Sequence, residues 1–153
     1  MKVIFLDIDG VLNSNRTSLA YKGYPDSFNT YDKGRFDWTA IRLIDRLVSN
    51  NEDVCVVISS SWRYNFKTSD FANAFGFDVL GTTPKHQFGR DRGEEIKEWL
   101  DKNNNYNITH YAIIDDQGGM LPEQLEHFVQ VDEKEGLLYK DYVKVCSILD
   151  VKL

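Results

Sequence analysis

The sequence predicts an α/β protein on a doubly wound, Rossmann-like sheet of five parallel strands, order 3-2-1-4-5. Three observations carry that expectation. Short runs of Val, Ile, Leu and Phe without polar alternation recur along the chain, as strands buried on both faces require. Helical patterns separate these runs, and strands alternating with helices mean a parallel sheet covered on both sides. Acids and hydroxyls follow the runs at their carboxyl ends, where an open α/β sheet collects its ligands.

The first run, Val3-Ile4-Phe5-Leu6, leads straight into Asp7-Ile8-Asp9-Gly10-Val11-Leu12-Asn13. An ionised carboxylate near a core must be paired or bind a metal. Residues two apart on a strand share a face, so Asp7 and Asp9 can aim at one site while Ile8 points away. Gly10 allows a sharp turn directly after them. Two carboxylates at the carboxyl end of a central strand suit a Mg2+ ion plus a phosphate, the plain alternative being a solvated strand end.

Residues 14–36 are polar and aromatic, with Gly23, Pro25 and Gly34 as breakers, and predict a long loop. It reads equally as a flap over the site or as an irregular loop packed by its own aromatics. Asp37 then caps a helix running to about Asn50. Residues 54–58 form the second strand, and Ser59-Ser60-Ser61-Trp62-Arg63 follows at once. Hydroxyls and backbone N–H groups of such a turn can bind a phosphate oxygen, although serines there also serve simply as turns or caps. A short helix begun by Ser69 or Asp70 stops at Gly76, and residues 77–80 make the third strand.

Lys85, Arg90 and Arg92 form the dense positive cluster ahead of a helix over 94–102. The fourth strand, 111–114, again ends in acids, Asp115-Asp116. Pro122 opens a helix to about His127, residues 128–131 are the fifth strand, and a helix from Lys140 or Asp141 closes the chain.

The bounds agree with a single domain spanning 1–153. A hydrophobic fraction of 42% beside 27% charged residues is that of a globular chain with one proper core. A net charge of -6 excludes a generally basic nucleic-acid surface, so any polyanion must bind at a local positive patch. No apolar run approaches the roughly 20 residues of a membrane span. Asp7 and Asp9 interrupt the only apolar run near the start, so no signal peptide is expected. Cys55 and Cys146 read as reduced core residues, which together with these absences predicts a cytoplasmic location. No obligate protein partner is evident.

Four signals occur in order: Asp-Ile-Asp-Gly-Val, a strand ending in Ser59, a basic residue before a helix, and a strand ending in Asp115-Asp116. This set resembles the haloacid dehalogenase superfamily of phosphohydrolases, from Val3 to at least Val131. Within it, Phe-Leu-Asp-Ile-Asp-Gly-Val-Leu-Asn and Ile-Ser-Ser-Ser-Trp-Arg resemble the small phosphatase domains of RNA-repair multidomain proteins. Arg92-Gly-Glu-Glu-Ile with Ala-Ile-Ile-Asp-Asp is similar to the 3′-phosphatase half of phage polynucleotide kinase. The phosphate loop of the kinase half, Gly-x-x-x-x-Gly-Lys-Ser/Thr, does not occur.

The resemblance implies roles. Asp7 is the nucleophile and carries an aspartyl-phosphate. Asp9 protonates the leaving oxygen and then deprotonates the water. Mg2+ is held by the Asp7 carboxylate, the Asp9 backbone carbonyl and Asp115, with Asp116 behind them or acting through water. Ser59 and the Ser60 backbone bind a phosphoryl oxygen. Arg92 brings positive charge to the transferring group, with Lys85 its competitor because the family more often uses Lys.

The expected activity is Mg2+-dependent hydrolysis of a phosphomonoester, on nucleic-acid 3′-phosphate ends or nucleotides. A 5′(3′)-nucleotidase or another small-molecule phosphatase is the alternative. A non-catalytic module with the same fold is opposed by the intact Asp7, Asp9 and Asp115. A receiver-type signalling domain would carry its phospho-acceptor on a later strand. Many relatives insert a cap domain after the first motif or the second strand; here those gaps hold only residues 14–36 and a short helix and strand, so the resemblance implies minimal or no cap domain. An open site favours a large substrate, on which Trp62 and Arg63 can stack or touch backbone phosphate; the plain alternative packs Trp62 under the loop.

Overall fold

The computed structural model describes every residue except Gln87. Five strands, β1 (Lys2–Leu6), β2 (Val54–Ile58), β3 (Val79–Thr82), β4 (His110–Asp115) and β5 (Phe128–Gln130), form one parallel sheet in the order β3-β2-β1-β4-β5. The most apolar run is therefore the central strand. Alternation along it divides the core in two. Val3 and Phe5, with Val57 and Ile113, face Ile96 and Trp99 of helix α5 (Arg92–Lys102 in the chain order below). Ile4 and Leu6, with Val56, Ile58, Ala112 and Ile114, face the opposite layer.

The helices follow as α1 (Asn15–Tyr21), α2 (Thr30–Lys33), α3 (Trp38–Ser49), α4 (Thr68–Phe75), α5 and α6 (Tyr139–Ile148). Helices α3, α4 and α6 cover the second face through Ile41, Ile44, Phe71, Phe75, Tyr142 and Val145. Asp37 begins α3 by accepting hydrogen bonds from the N–H groups of Thr39 and Ala40. No helix among the described residues is long and apolar enough to cross a membrane.

Register sets up the site. Leu6 is level with Ile58 on one side and with Ile114 on the other. The ladder runs one residue further: Asp7 N–H donates to the Ile114 carbonyl at 3.0 Å and Ser59 N–H donates to the Leu6 carbonyl at 2.9 Å. Asp7, Ser59 and Asp115 thus leave three adjacent strands at one level. Each is two residues beyond a side chain that faces α5, namely Phe5, Val57 and Ile113. Period-two alternation carries that facing to the three polar groups.

Residues 14–36 depart from the expected loop. They hold α1 and α2, each begun by a side-chain cap: the Ser14 hydroxyl accepts from Thr17 N–H at 3.2 Å, and the Asn29 amide oxygen accepts from Asp32 N–H at 2.8 Å. Helices this short bury too little to show an apolar period; Thr17 and Asp32 are their only buried residues. The aromatics divide. Phe28 and Phe36 enter the core beside Trp62 and Phe75, while Tyr24 stays exposed. No cap domain is evident among the described residues.

Smaller shifts have local causes. The third strand lies two residues later than expected because Phe77 turns into the core beside Phe75. The segment after Pro122 is a 3-10 helix, Pro122–His127. Helix α5 begins at Arg92 rather than Glu94.

Candidate active site

The carboxyl edge of β1, β2 and β4 opens into a cleft of about 400 Å3 lined by Asp7, Asp9, Ser61, Arg92 and Asp116, among others. Carboxylate oxygens of Asp7, Asp115 and Asp116 all lie within 4.8 Å of one another. A larger cleft, about 650 Å3 between Phe28, Lys33, Phe66 and Asn73, contains none of these acids.

Arg92 is the cation at this cluster. Its Nε lies 3.2 Å from Asp115 Oδ2 and its Nη2 lies 3.8 Å from Asp7 Oδ1. The start of α5 is held there by backbone contacts. Gly93 N–H donates to the Gly119 carbonyl at 3.0 Å, and the Gln124 side chain donates to the Gly93 carbonyl at 2.8 Å. A Cβ at Gly93 would stand 2.5 Å from Gln124 Oε1, so only glycine lets the helix start seat against the turn that follows β4. Lys85 lies exposed in the segment after β3 and does not line the cleft.

Asp116 reaches the cluster by a second close approach. Gly10, at φ +80°, lies so near it that a Cβ would stand 2.5 Å from the Asp116 carboxyl carbon. Both the left-handed backbone and the lack of a side chain are needed there.

Asp9 lines the same cleft but stands outside the three-acid cluster. Its Oδ1 accepts from Asn13 Nδ2 at 2.9 Å and its Oδ2 accepts from Trp62 Nε1 at 3.0 Å. Asn13 is fully buried and also accepts from Gly10 N–H at 3.1 Å, so one amide fixes both the turn and the acid. Asn13 belongs to the opening motif, yet an amide seven residues past the strand has no periodicity that would mark it.

Burial controls the protonation of the cluster. Withdrawal from water, then the neighbouring Asp115 charge, pushes Asp7 up to about 8 against the opposing pull of Arg92. Burial likewise pushes Asp115 up to about 6, with Arg92 opposing. Asp116 is raised by the same cause. Three crowded acids with one nearby cation are short of positive charge.

Several polar atoms here have no hydrogen-bond partner among the described residues: Asp115 Oδ2, Arg92 Nη1 and Ser59 Oγ. Arg92 Nε is close to Asp115 Oδ2 yet out of line for a hydrogen bond, whereas Asp115 Oδ1 accepts from Gln117 N–H at 3.0 Å. Buried polar atoms are rarely left unpaired without reason. A free oxygen beside two further carboxylates fits a hard divalent cation such as Mg2+, which takes oxygen ligands. Asp7, Asp115 and Asp116 are the side chains able to hold it.

The serines divide by position. Ser59 is fully buried. Ser60 is buried too; its hydroxyl accepts from Trp62 N–H at 3.4 Å and helps to counter the rise at Asp7. Ser61, the one left out of the sequence reading of phosphate ligands, is exposed and lines the cleft.

Trp62 and Arg63 are turned inward: Trp62 takes the packed alternative, and Arg63 departs from the reading that places it against substrate. Trp62 is 7% exposed, packed against Phe28, Phe36 and Phe66. Arg63 is 2% exposed. It donates to the Ser60 carbonyl at 2.7 Å and to the Pro84 carbonyl at 3.2 Å, and it pairs with Glu95 at 2.7 Å. A guanidinium with this many internal acceptors joins the serine turn, the segment after β3 and helix α5. The aromatic that does face solvent is the next residue, Tyr64.

A family model described as the HAD domain in Swiss Army Knife RNA repair proteins matches residues 3–142. Neither the curated proteins nor the solved structures include a match to the chain.

Proposed function

The chain belongs to the HAD domains of Swiss Army Knife RNA repair proteins, and on that basis we propose that it hydrolyses phosphomonoesters with Mg2+ through a covalent phosphate on Asp7. The observation that carries this reading is the convergence of Asp7, Asp115 and Asp116 with Arg92 at the carboxyl end of the central strands.

An Asp7 carboxylate oxygen attacks phosphorus, and the bond from phosphorus to the ester oxygen breaks. Asp9 supplies the proton that the departing alkoxide needs. Water then attacks the phosphorus, Asp9 takes its proton, and the bond to Asp7 breaks to release inorganic phosphate. Arg92, with a free N–H at Nη1, stabilises charge on the equatorial oxygens; Ser61 and the backbone N–H groups of its turn hold the phosphate in line. A bound Mg2+ would supply the positive charge that three adjoining acids lack, keep Asp7 ionised and offset repulsion of the phosphate. Asn13 and Trp62 orient Asp9.

As substrate we propose a nucleic-acid 3′-phosphate end, in keeping with the RNA-repair setting of the family. A mononucleotide is the second reading, because acidic groups at the cleft, Asp116 and Glu133, disfavour a long polyanion. The test is phosphate release from 3′-phosphorylated oligonucleotides, mononucleotides and hexose phosphates by wild type and Asp7→Asn. The variant should be slower by several orders of magnitude while folding normally. Ordinary turnover by folded Asp7→Asn would overturn the mechanism, and preference for a hexose phosphate would overturn the substrate.

A further inference from the structure

Within the phosphatase reading, the position of Asp9 locates the leaving group. The group that protonates the departing oxygen must stand beside it. Asp9 lines two clefts. One is the catalytic cleft with Asp7 and Arg92. The other, about 410 Å3, contains neither; Asp9 shares it with Pro25, Asp26, Ser61, Tyr64 and Asn65. Ser61 lines both, so the two adjoin along Asp9 and Ser61. A phosphate held at Asp7 would direct its esterified alcohol into this second space.

We infer that this second cleft is a nucleoside site, with the Tyr64 ring as the platform on which the base stacks. Tyr64 is 46% exposed and yet fixed. The Arg63 guanidinium lies 4.8 Å from its ring centroid, and Arg63 is itself anchored by Glu95 at 2.7 Å. The Tyr64 hydroxyl lies 3.4 Å from both the carbonyl and the N–H of His86. A flat ring held in place before binding loses little freedom when a base covers it. The volume falls within the range of small-molecule sites, roughly 300–1,000 Å3, which pair apolar walls with a few polar groups. Beyond Asp9 and Ser61, the polar groups here are Asp26 and Asn65, able to accept from and donate to hydroxyls or a base edge.

Charge narrows the ligand further. The residues lining this cleft include Asp9 and Asp26 and no Lys or Arg. An uncharged nucleoside suits it, and a second phosphate does not. Tyr64 also borders a neighbouring cleft of about 300 Å3 that carries Arg90 and Arg92. The next phosphate of a polynucleotide therefore meets a cation only after the chain passes the tyrosine. Sugar phosphates have no flat face to place on the ring.

The experiment compares adenosine 3′-monophosphate with ribose 3-phosphate, which lacks the base, using wild type, Tyr64→Ala and Tyr64→Phe in Mg2+. Wild type should favour the nucleotide in kcat/KM by about tenfold or more, Tyr64→Ala should lose most of that ratio, and Tyr64→Phe should keep it. An unchanged ratio in Tyr64→Ala, or no preference in wild type, would overturn the platform. Failure to release phosphate from either ester would count against the phosphatase reading instead. Adenosine binding measured by titration then still decides the cleft: Kd should rise about tenfold in Tyr64→Ala, and equal Kd values would overturn the nucleoside site.

Discussion

The indole N–H of Trp62 donates to Asp9 Oδ2 at 3.0 Å, across a sequence separation of 53 residues. The tryptophan after the serine turn thereby holds the acid that follows the first strand. Its ring is fixed by Phe28 and Phe66, so the N–H direction is set by the core.

Trp62→Phe keeps the aromatic packing and removes the donor. A hydrogen bond to a charged group contributes about 1.5–3 kcal/mol. If that bond orients Asp9 for proton delivery, the loss grows with the basicity of the leaving group. We expect about a tenfold fall in kcat for an alkyl phosphate and little change for nitrophenyl phosphate, whose leaving group needs no proton. Equal falls on both esters would separate Trp62 from the acid's role.

Arg92 and Lys85 are distinguished by position. Arg92→Ala removes the cation that stands 3.2 Å from Asp115, whereas Lys85 lies outside the cleft. Loss of one preorganised donor typically costs 10²–10³-fold in turnover, the size expected here for Arg92→Ala. Lys85→Ala should fall by less than about threefold on the same scale. Steady-state phosphate release measures both, and the reverse ranking would transfer the role to Lys85.

Arg63→Ala tests a structural joint. The Arg63–Glu95 pair is almost wholly buried, with side chains 2% and 6% exposed. Removing one partner strands the other charge, at a cost of about 3–5 kcal/mol. Urea unfolding should show that loss for Arg63→Ala, with much of it recovered in Arg63→Met/Glu95→Leu. A destabilisation below about 1 kcal/mol would mean that Glu95 finds water or another partner.

The metal-free protein should lose stability as pH rises. Asp7 is raised to about 8 and Asp115 to about 6, so between the ordinary carboxylate range and these values the folded state holds protons that the unfolded state has released. Stability tied to those protons is present at about pH 4 and is lost progressively towards about pH 8. Thermal melts in chelator should therefore decline over that interval, by about 2–4 °C for each kcal/mol, and decline less in Asp7→Asn. Mg2+ should raise Tm more at about pH 8 than at about pH 5, because protons no longer compete with it. A flat metal-free profile would show that the cluster titrates as exposed acids do.

The sheet was legible in the sequence because its evidence is local. An unalternated apolar run such as Val3–Leu6 has few uses other than a buried central strand, and a spacing of two residues puts polar groups on a defined face. Strand order followed from chain connectivity and the acids at the strand ends, and the level placement of Asp7, Ser59 and Asp115 then follows from parallel register. Tertiary structure alone decided which way Ser61, Trp62, Arg63 and Tyr64 point. These four lie in one 3-10 turn, where consecutive side chains go to different surroundings and no period assigns them. Phe28, Phe36 and Phe66 took Trp62, Glu95 took Arg63, and Tyr64, with neither, remained at the surface. The seats of Asp116 against Gly10 and of α5 against Gly119 were likewise settled by backbone contacts between distant segments, because a missing Cβ has consequences only when something arrives to fill its place.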